Sequence, residues 1–406
     1  MIFLSLCIFH PIEAISEEET ITGPENSPLV ICLPDDVVTM DPTMHRSRIT
    51  QIVLKNIFDS LTARNEKNNV VPQLAESWRL INDTEWEFRL RNDVRFHNGQ
   101  RLTASDVKFT LDRVINKDFS TQEVSPRKGL FEPVTEVTAP DDLTIRIKTG
   151  HPWPNLPLML SLQEILPESY FKKVGSSGFN DHPVGAGPFR FVRGKRGDEI
   201  VLERFEDYYG GSSLRPPVQK APLRQVVFKI VPSSLDQLAM LKSGKCDILF
   251  DVHPEYIAVL GMSSGIHILK IPATKSYFAE INCTRPPMND MRVRKALNYA
   301  VDINTIIRYK LSGQGQRLST ILLPNAFGFN RRLDPYPYNT KRARELLNEA
   351  GYPYDYVISI FTNRNDLIFA DSIALYLTKM GLKAQLKIVH YFRPQDTGPD
   401  APWDIF

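Results

Sequence analysis

The 406-residue chain carries 49 Lys and Arg against 47 Asp and Glu, for a net charge of +2, and 42% of its residues are hydrophobic. That length exceeds one ordinary domain and the apolar content suffices for more than one core, so two or three domains are expected. The near balance of charge implies no extended basic face, so nucleic acid and anionic membrane surfaces lose weight as partners.

The amino terminus opens on the apolar run Ile2 to Phe9, too short to span a bilayer, and reaches Ile12-Glu13-Ala14, a signal-peptidase-like site. Residues 1–14 therefore read as a secretory leader, though one without a preceding Lys or Arg. A lipid anchor on Cys7 competes with that reading, but the bulky Leu6 stands where a small residue is needed. Behind the leader, Cys32, Cys246 and Cys283 permit at most one internal disulfide and match no zinc or redox spacing, so each reads as a small buried hydrophobe. Thirty prolines, in short loops such as Pro152-Trp153-Pro154 and Pro335-Tyr336-Pro337, point to ordered connections.

Leu29 to Leu33 is a short apolar strand, Met40-Asp41-Pro42 opens a loop, and Ile49, Ile52, Val53, Ile57 and Leu61 mark one helix face. A loop between strand and helix lies at the carboxyl edge of the strand, where ligands commonly sit. Trp86, Phe88 and Leu90 alternate with Glu85, Glu87 and Arg89 as in a half-buried strand, and Asn98-Gly99 suits a tight turn. Thr103 with Asp106 resembles a capping box ahead of Val107, Phe109 and Leu111. Leu143, Ile145 and Ile147 form another alternating strand after the Pro140-Asp141-Asp142 turn.

Gly185-Ala186-Gly187-Pro188 is read as a structural turn, because a phosphate cradle needs a longer glycine pattern ahead of a helix. Tyr208-Tyr209 before Gly210-Gly211 is read as a packing plug in preference to a ligand-stacking pair. Val226 to Val231, a helix begun by Ser233 and Asp236 and ended at Gly244, and a strand over Asp247 to Phe250 compose a strand-helix-strand unit, hence a partly parallel sheet. Further on, Tyr356 to Phe361 is a strand, Asp366 to Met380 a helix closed by Gly381, and Ala384, Leu386 and Ile388 the next strand.

Several of these segments resemble, in order, the motifs of the large extracytoplasmic solute-binding proteins of ABC importers, the dipeptide and oligopeptide family (family 5). They are Leu74 to Trp78 with Val94 to Phe109, Gly185 to Phe189, Glu203 to Gly211, Leu238 to Ile248, and Pro286 to Asp302. The resemblance implies an α/β fold of the type II periplasmic-binding-protein kind: lobe I over 29–54 and 168–270, a peripheral insert over 55–167, and lobe II over 271–406. It further implies a monomer in the periplasm that captures a solute, short peptides first, and delivers it by lobe closure to the permease and ATPase subunits of an importer. No cofactor, metal or nucleic acid is expected.

In that family the first loop, the hinge strand and a loop of lobe II border the ligand, which makes Thr43, Met44, His45, Tyr277, Phe278, Thr362, Asn363 and Arg364 the candidate binding residues. For His45 a solvated loop histidine stands beside the ligand role. Arg364 reads either as a bidentate holder of a peptide carboxylate or as an ordinary surface arginine. Arg292 and Arg294, at the start of a helix, read as surface or inter-segment ion pairs in preference to anion ligands.

The chain stops at Trp403 to Phe406, where family members continue from a similar strand through further helices and a second hinge crossing. The stretch beyond carries the Asp that meets a peptide's amino terminus, so an impaired, truncated product is an expectation. No nucleophile elbow, His-Glu-x-x-His helix or Walker loop is present in the sequence, so no enzymatic activity is expected. The rival readings are another cargo of the family (nickel chelate, haem, opine or sugar), a receptor that presents its ligand to a signalling partner, and a secreted peptide hydrolase, which would show turnover.

Overall fold

The computed structural model describes residues 6–7, 27–116, 123–211, 221–250, 252, 254–269, 276–324, 326, 328–364, 366–389 and 401–406. Apart from Leu6–Cys7, the expected leader lies outside them. The chain divides into two compact units, a first over Glu18–Asp251 and a second that joins Met1–Glu17 to Val252–Phe406. Among the described residues, no helix is long and apolar enough to cross a membrane.

Strand β1 (Leu6–Cys7) belongs to the second unit. The first unit begins with β2 (Leu29–Leu33), whose carboxyl end leads through the loop of residues 34–47 into α1 (Arg48–Ile57). Ser47 caps that helix by accepting from the Thr50 amide at 3.2 Å. The helix stops four residues short of Leu61, because Phe58 turns extended while its amide still bonds Leu54. Leu61 is buried instead beneath the insert's sheet, in the cluster with Phe88 and Phe96.

That region runs through β3 (Thr62–Arg64), β4 (Val70–Pro72), β5 (Ala75–Asn82), β6 (Glu85–Leu90), α2 (Ala104–Ile115), β7 (Val134–Asp141), β8 (Thr144–Thr149) and α3 (Leu156–Leu160). Strands β5-β6-β8-β7 make an antiparallel sheet. The alternation read from β6 and β8 appears as buried Phe88, Leu90, Ile145 and Ile147, which α2 covers with Val107, Leu111 and Val114. At the start of α2 the Asp106 carboxylate accepts from the Thr103 amide at 2.8 Å and from its hydroxyl at 3.0 Å.

The chain returns through α4 (Glu168–Asp181), β9 (Phe189–Lys195), β10 (Glu199–Arg204), β11 (Gln225–Ile230), α5 (Ser234–Lys242) and β12 (Ile248–Leu249). The sheet order is β12-β2-β11-β10-β9, parallel across β12, β2 and β11 and antiparallel beyond, so the expected partly parallel sheet is present. The expected strand over Asp247 to Phe250 shrinks to two residues at the sheet's edge.

The second unit comprises α6 (Pro254–Gly261), α7 (Met291–Ala300), α8 (Ile303–Lys310), β13 (Gln316–Arg317), α9 (Thr340–Glu349), β14 (Val357–Thr362), α10 (Leu367–Lys379) and β15 (Lys383–Ile388), with β1 paired to β13. Strands β14 and β15 are parallel. Ile405 bridges β14 at Ile360 in parallel sense and Ile281 in antiparallel sense, so the segment 404–406 runs between β14 and Ala279 to Asn282. Backbone bonds from Phe361 to Ile405 (2.8 Å), Phe406 to Glu280 (2.9 Å) and Asn282 to Asp404 (2.9 Å) seal that ladder.

Gly185 and Gly187 set the closest backbone approach in the molecule's described part. A Cβ on Gly185 would stand 2.1 Å from the Ile57 carbonyl oxygen and one on Gly187 2.6 Å from the Ile57 carbonyl carbon, while the Gly187 amide bonds that oxygen at 2.8 Å. The turn therefore closes the end of α1, which is the structural role read from the sequence. Gly187→Ala should lower stability by about 1–3 kcal/mol or more, since the neighbour is backbone and cannot yield. Gly197→Ala, where the backbone is left-handed but space is open, should cost only about 1 kcal/mol. Urea unfolding midpoints of the two variants check the ranking.

Candidate ligand-binding site

In the first unit, the loop after β2 is held by a buried ionic cluster. Arg113 of α2 donates to Asp41 Oδ2 at 2.9 Å and to Thr43 Oγ1 at 2.9 Å, and its guanidinium lies 4.0 Å from the Phe171 ring centre. Arg113 and Asp41 side chains are 3% and 1% exposed. Thr43 is fully buried and gives both its amide (2.9 Å) and its hydroxyl (2.7 Å) to Asp41. His45 is buried too, with Nε2 3.0 Å from Arg127 Nη2. Burial first, and the Arg127 charge second, lower its ring to about pH 4.

Arg127 in turn donates to the carbonyl oxygens of His45 (2.9 Å) and Leu162, bonds Gln51, and stands 3.6 Å from Glu164. Burial holds Glu164 above the usual carboxylate range against the opposing charges of Arg127 and Lys55. Thr43 thus spends its polar groups inside the protein, and His45 its Nε2, while His45 Nδ1 is buried without a hydrogen-bond partner among the described residues. Met44 is half-buried and lines a cavity of about 230 Å³ together with Thr39, Asp41, Arg113, Glu123 and Asn180. The sequence reading had missed Asn180, whose carbonyl accepts from Thr39 and from the Met40 amide, each at 2.7 Å, and Val38, 53% exposed on the same loop.

In the second unit, the antiparallel course of Ala279 to Asn282 brings its start, Tyr277 and Phe278, to the same sheet edge as Thr362 to Arg364 and Phe406. This is the carboxyl edge of the parallel strands, the position that favours ligand binding in open α/β sheets. Tyr277 packs on Phe369 with ring centres 4.6 Å apart, whereas Phe278 is 45% exposed. Thr362 is buried and its carbonyl takes the Val389 amide at 2.8 Å. Asn363 shapes the loop into α10, giving Nδ2 to Asp366 at 2.6 Å and accepting the Asp366 amide at 3.0 Å. Arg364 is exposed, with no ion-pair partner among the described residues; Asn365 of this loop lies outside them.

The other tempting groups are structural. Tyr208 and Tyr209 both donate to the buried Asp59 Oδ2, at 3.0 and 2.6 Å, with the Arg91 guanidinium 5.1 Å from the Tyr209 ring. Arg292 pairs with Asp290 at 2.6 Å, and Arg294 donates to the Met288 and Asn289 carbonyls at 2.8 Å. His97 accepts the Gly185 amide at Nδ1 (3.3 Å) and meets the Gly187 carbonyl at Nε2 (3.0 Å), the pattern of a neutral ring, and burial lowers it to about pH 4.

A histidine whose folded value is about 4 and whose unfolded value is about 6.5 stays neutral in the fold while the unfolded chain takes up a proton. Stability is therefore lost as pH falls from about 6.5 to about 4, by about 3 kcal/mol for the fully buried His45. Glu164 and Asp106, raised by burial, act in the opposite sense. The histidine contribution is thus isolated by difference: between pH 7 and pH 4 the wild type should lose more stability than His45→Gln, by about 3 kcal/mol. Denaturant titrations at the two pH values measure it, and equal losses would place the proton uptake elsewhere.

Comparison with known proteins agrees with this architecture. Residues 69–406 match the family described as bacterial extracellular solute-binding proteins, family 5 Middle. The glutathione-binding protein GsiB of Pectobacterium atrosepticum is 27% identical over 343 residues, 83% of this chain and 63% of its own length. The chain therefore spans somewhat less than two thirds of that relative. Among solved structures, the substrate-binding protein CtaP of Listeria monocytogenes superposes with a TM-score of 0.79 at 24% identity, over 93% of this chain and 78% of its own. The periplasmic binding protein DppA of Helicobacter pylori, solved with the peptide STSA, gives 0.74 at 24% identity, over 90% and 74%. The fold is that of the type II periplasmic binding proteins, and the chain belongs to the family 5 solute-binding proteins.

Proposed function

We propose that this family 5 protein captures a short peptide outside the cytoplasm and presents it, by closure of two lobes, to the permease and ATPase subunits of an ABC importer. Closure would shift the population from open to closed form, which is how a ligand with differential affinity signals its presence. The boundaries offered for this machine are lobe I over 29–54 and 168–270, the insert over 55–167 and lobe II over 271–406, in a monomer exported by the leader of residues 1–14.

The observation that carries the peptide reading is the carboxyl edge of the second unit, where Arg364 and Phe278 are exposed beside a buried, polar-satisfied floor. An unpaired guanidinium suits a carboxylate bidentately, and an exposed aromatic offers a surface for an apolar side chain. Family membership and the peptide-bound DppA support the same class. GsiB's name adds glutathione, itself a peptide, to the first cargoes to test.

Calorimetry on the full chain with a pool of di- to pentapeptides and with glutathione should show one-to-one binding at micromolar affinity or better, about −8 kcal/mol, with the ligand recovered intact. Amidation of the peptide's carboxyl group, or Arg364→Ala, should weaken binding by about tenfold or more, as expected for a charged hydrogen bond worth about 1.5–3 kcal/mol. Equal affinity for the amidated peptide removes Arg364 from the carboxylate role, and cleaved peptide in the recovered pool turns the assignment toward a hydrolase.

A further inference from the structure

Cys32 and Cys246 occupy neighbouring places in the core of the first unit. Cys32 sits on β2 opposite Leu249 of β12. Cys246 enters just ahead of β12, and its Sγ lies 3.1 Å from the Ile248 carbonyl and 3.7 Å from the Val30 carbonyl. It is therefore held against β2 at Val30, which shares a strand face with Cys32 two residues on. Both residues are buried, at 0% and 2% exposure, and both are free thiols. Burial first, and the neighbouring Cys246 thiol second, push the Cys32 thiol up to about 12. Cys283, expected from the sequence to be buried like the other two, is instead exposed and belongs to the second unit.

We propose that Cys32 and Cys246 are a disulfide-forming pair that staples β12 to β2. Strand β12 is the edge of its sheet and holds only two ladder positions, so a covalent link there replaces weak pairing. The link also closes more than two hundred residues into a loop, the case in which constraint of the unfolded chain is largest. The reaction is thiol–disulfide exchange with a disulfide of the glutathione or oxidoreductase class. One cysteine thiolate attacks the oxidant's disulfide and expels one thiol. The second cysteine then attacks the mixed disulfide and expels the other, so two protein thiols become one disulfide and the oxidant is reduced to two thiols. Because the folded thiols are buried, the exchange belongs to folding, before β12 docks. In the cell it rests on the export reading above, since such bonds persist in oxidising compartments.

The full chain, unfolded and refolded across a series of oxidised and reduced glutathione mixtures, is alkylated in denaturant and mapped by mass spectrometry without reduction. The expected result is one linked peptide joining Cys32 to Cys246, with Cys283 alkylated. The oxidised protein should unfold at higher urea than the reduced protein, a difference absent in Cys246→Ser. Full alkylation of both cysteines at every ratio, or cross-links distributed over Cys283 as well, overturns the proposal. A bond formed on refolding but missing from protein taken from cells upholds the pair and counts against export instead.

Discussion

The buried pair of Arg113 with Asp41 is the constraint on which the first unit's candidate site depends. Two charges with side chains 3% and 1% exposed are costly to remove from water, and only a complete set of partners repays the cost. The set is complete: the guanidinium gives hydrogen bonds to Asp41 and Thr43 and covers the Phe171 ring, while Asp41 takes the Thr43 amide and hydroxyl. Losing one partner of such a pair typically costs about 3–5 kcal/mol. The pair joins the loop after β2 to α2, and Arg127 repeats the pattern one layer away, binding His45, Gln51, Leu162 and Glu164. The two arginines thereby tie the loop after β2 to α2 and to residues 162–164 through hydrogen bonds and ion pairs.

A second convergence lies at the end of α1. The Ile57 carbonyl, an orphan acceptor at a helix terminus, is taken by the Gly187 amide. Two residues on, Asp59 is buried and receives Tyr208, Tyr209 and Gln73. His97 fastens the glycine turn from the other side through both ring nitrogens. Three motifs distant in sequence thus exist to finish one helix, which explains why glycine is needed where a Cβ would strike backbone and why paired tyrosines end in hydroxyls rather than in bare rings.

Elements with strong local signals were legible in the sequence. Strand β2, the alternating β6 and β8, α10 with Gly381 behind it, and the glycine turn all stand where periodicity and turn chemistry put them, within a residue or two. What escaped was decided by tertiary contact. Leu61 continues the helical spacing of α1 yet lies outside it, since burial under the insert's sheet outweighs one more turn. The fate of polar side chains escaped for the same reason. Thr43, His45 and Arg364 are equally good ligand groups by residue type, and nothing local tells which of them a distant arginine or carboxylate has already claimed.

That distinction decides how the two sheet edges differ. Both units place a loop at the carboxyl end of parallel strands, but the loop after β2 is turned inward: Thr43 is saturated by Asp41 and Arg113, His45 is buried, and Met44 alone of the three reaches a cavity. In the second unit the equivalent saturation lies one strand inward, at Asp404, which is 1% exposed and accepts from Tyr356 Oη (2.8 Å), the Ser359 amide (2.8 Å) and Arg285 (3.3 Å). Asp404 fixes the segment 404–406 between β14 and Ala279 to Asn282, and so fixes the edge at which the exposed Phe278 and Arg364 emerge. A group whose hydrogen bonds are already satisfied can only shape a site, because any bond to a ligand must first break one that the fold has made. A residue that a well-satisfied strand holds out into solvent carries no such cost, and the exposed Phe278 and Arg364 at one edge are of that kind.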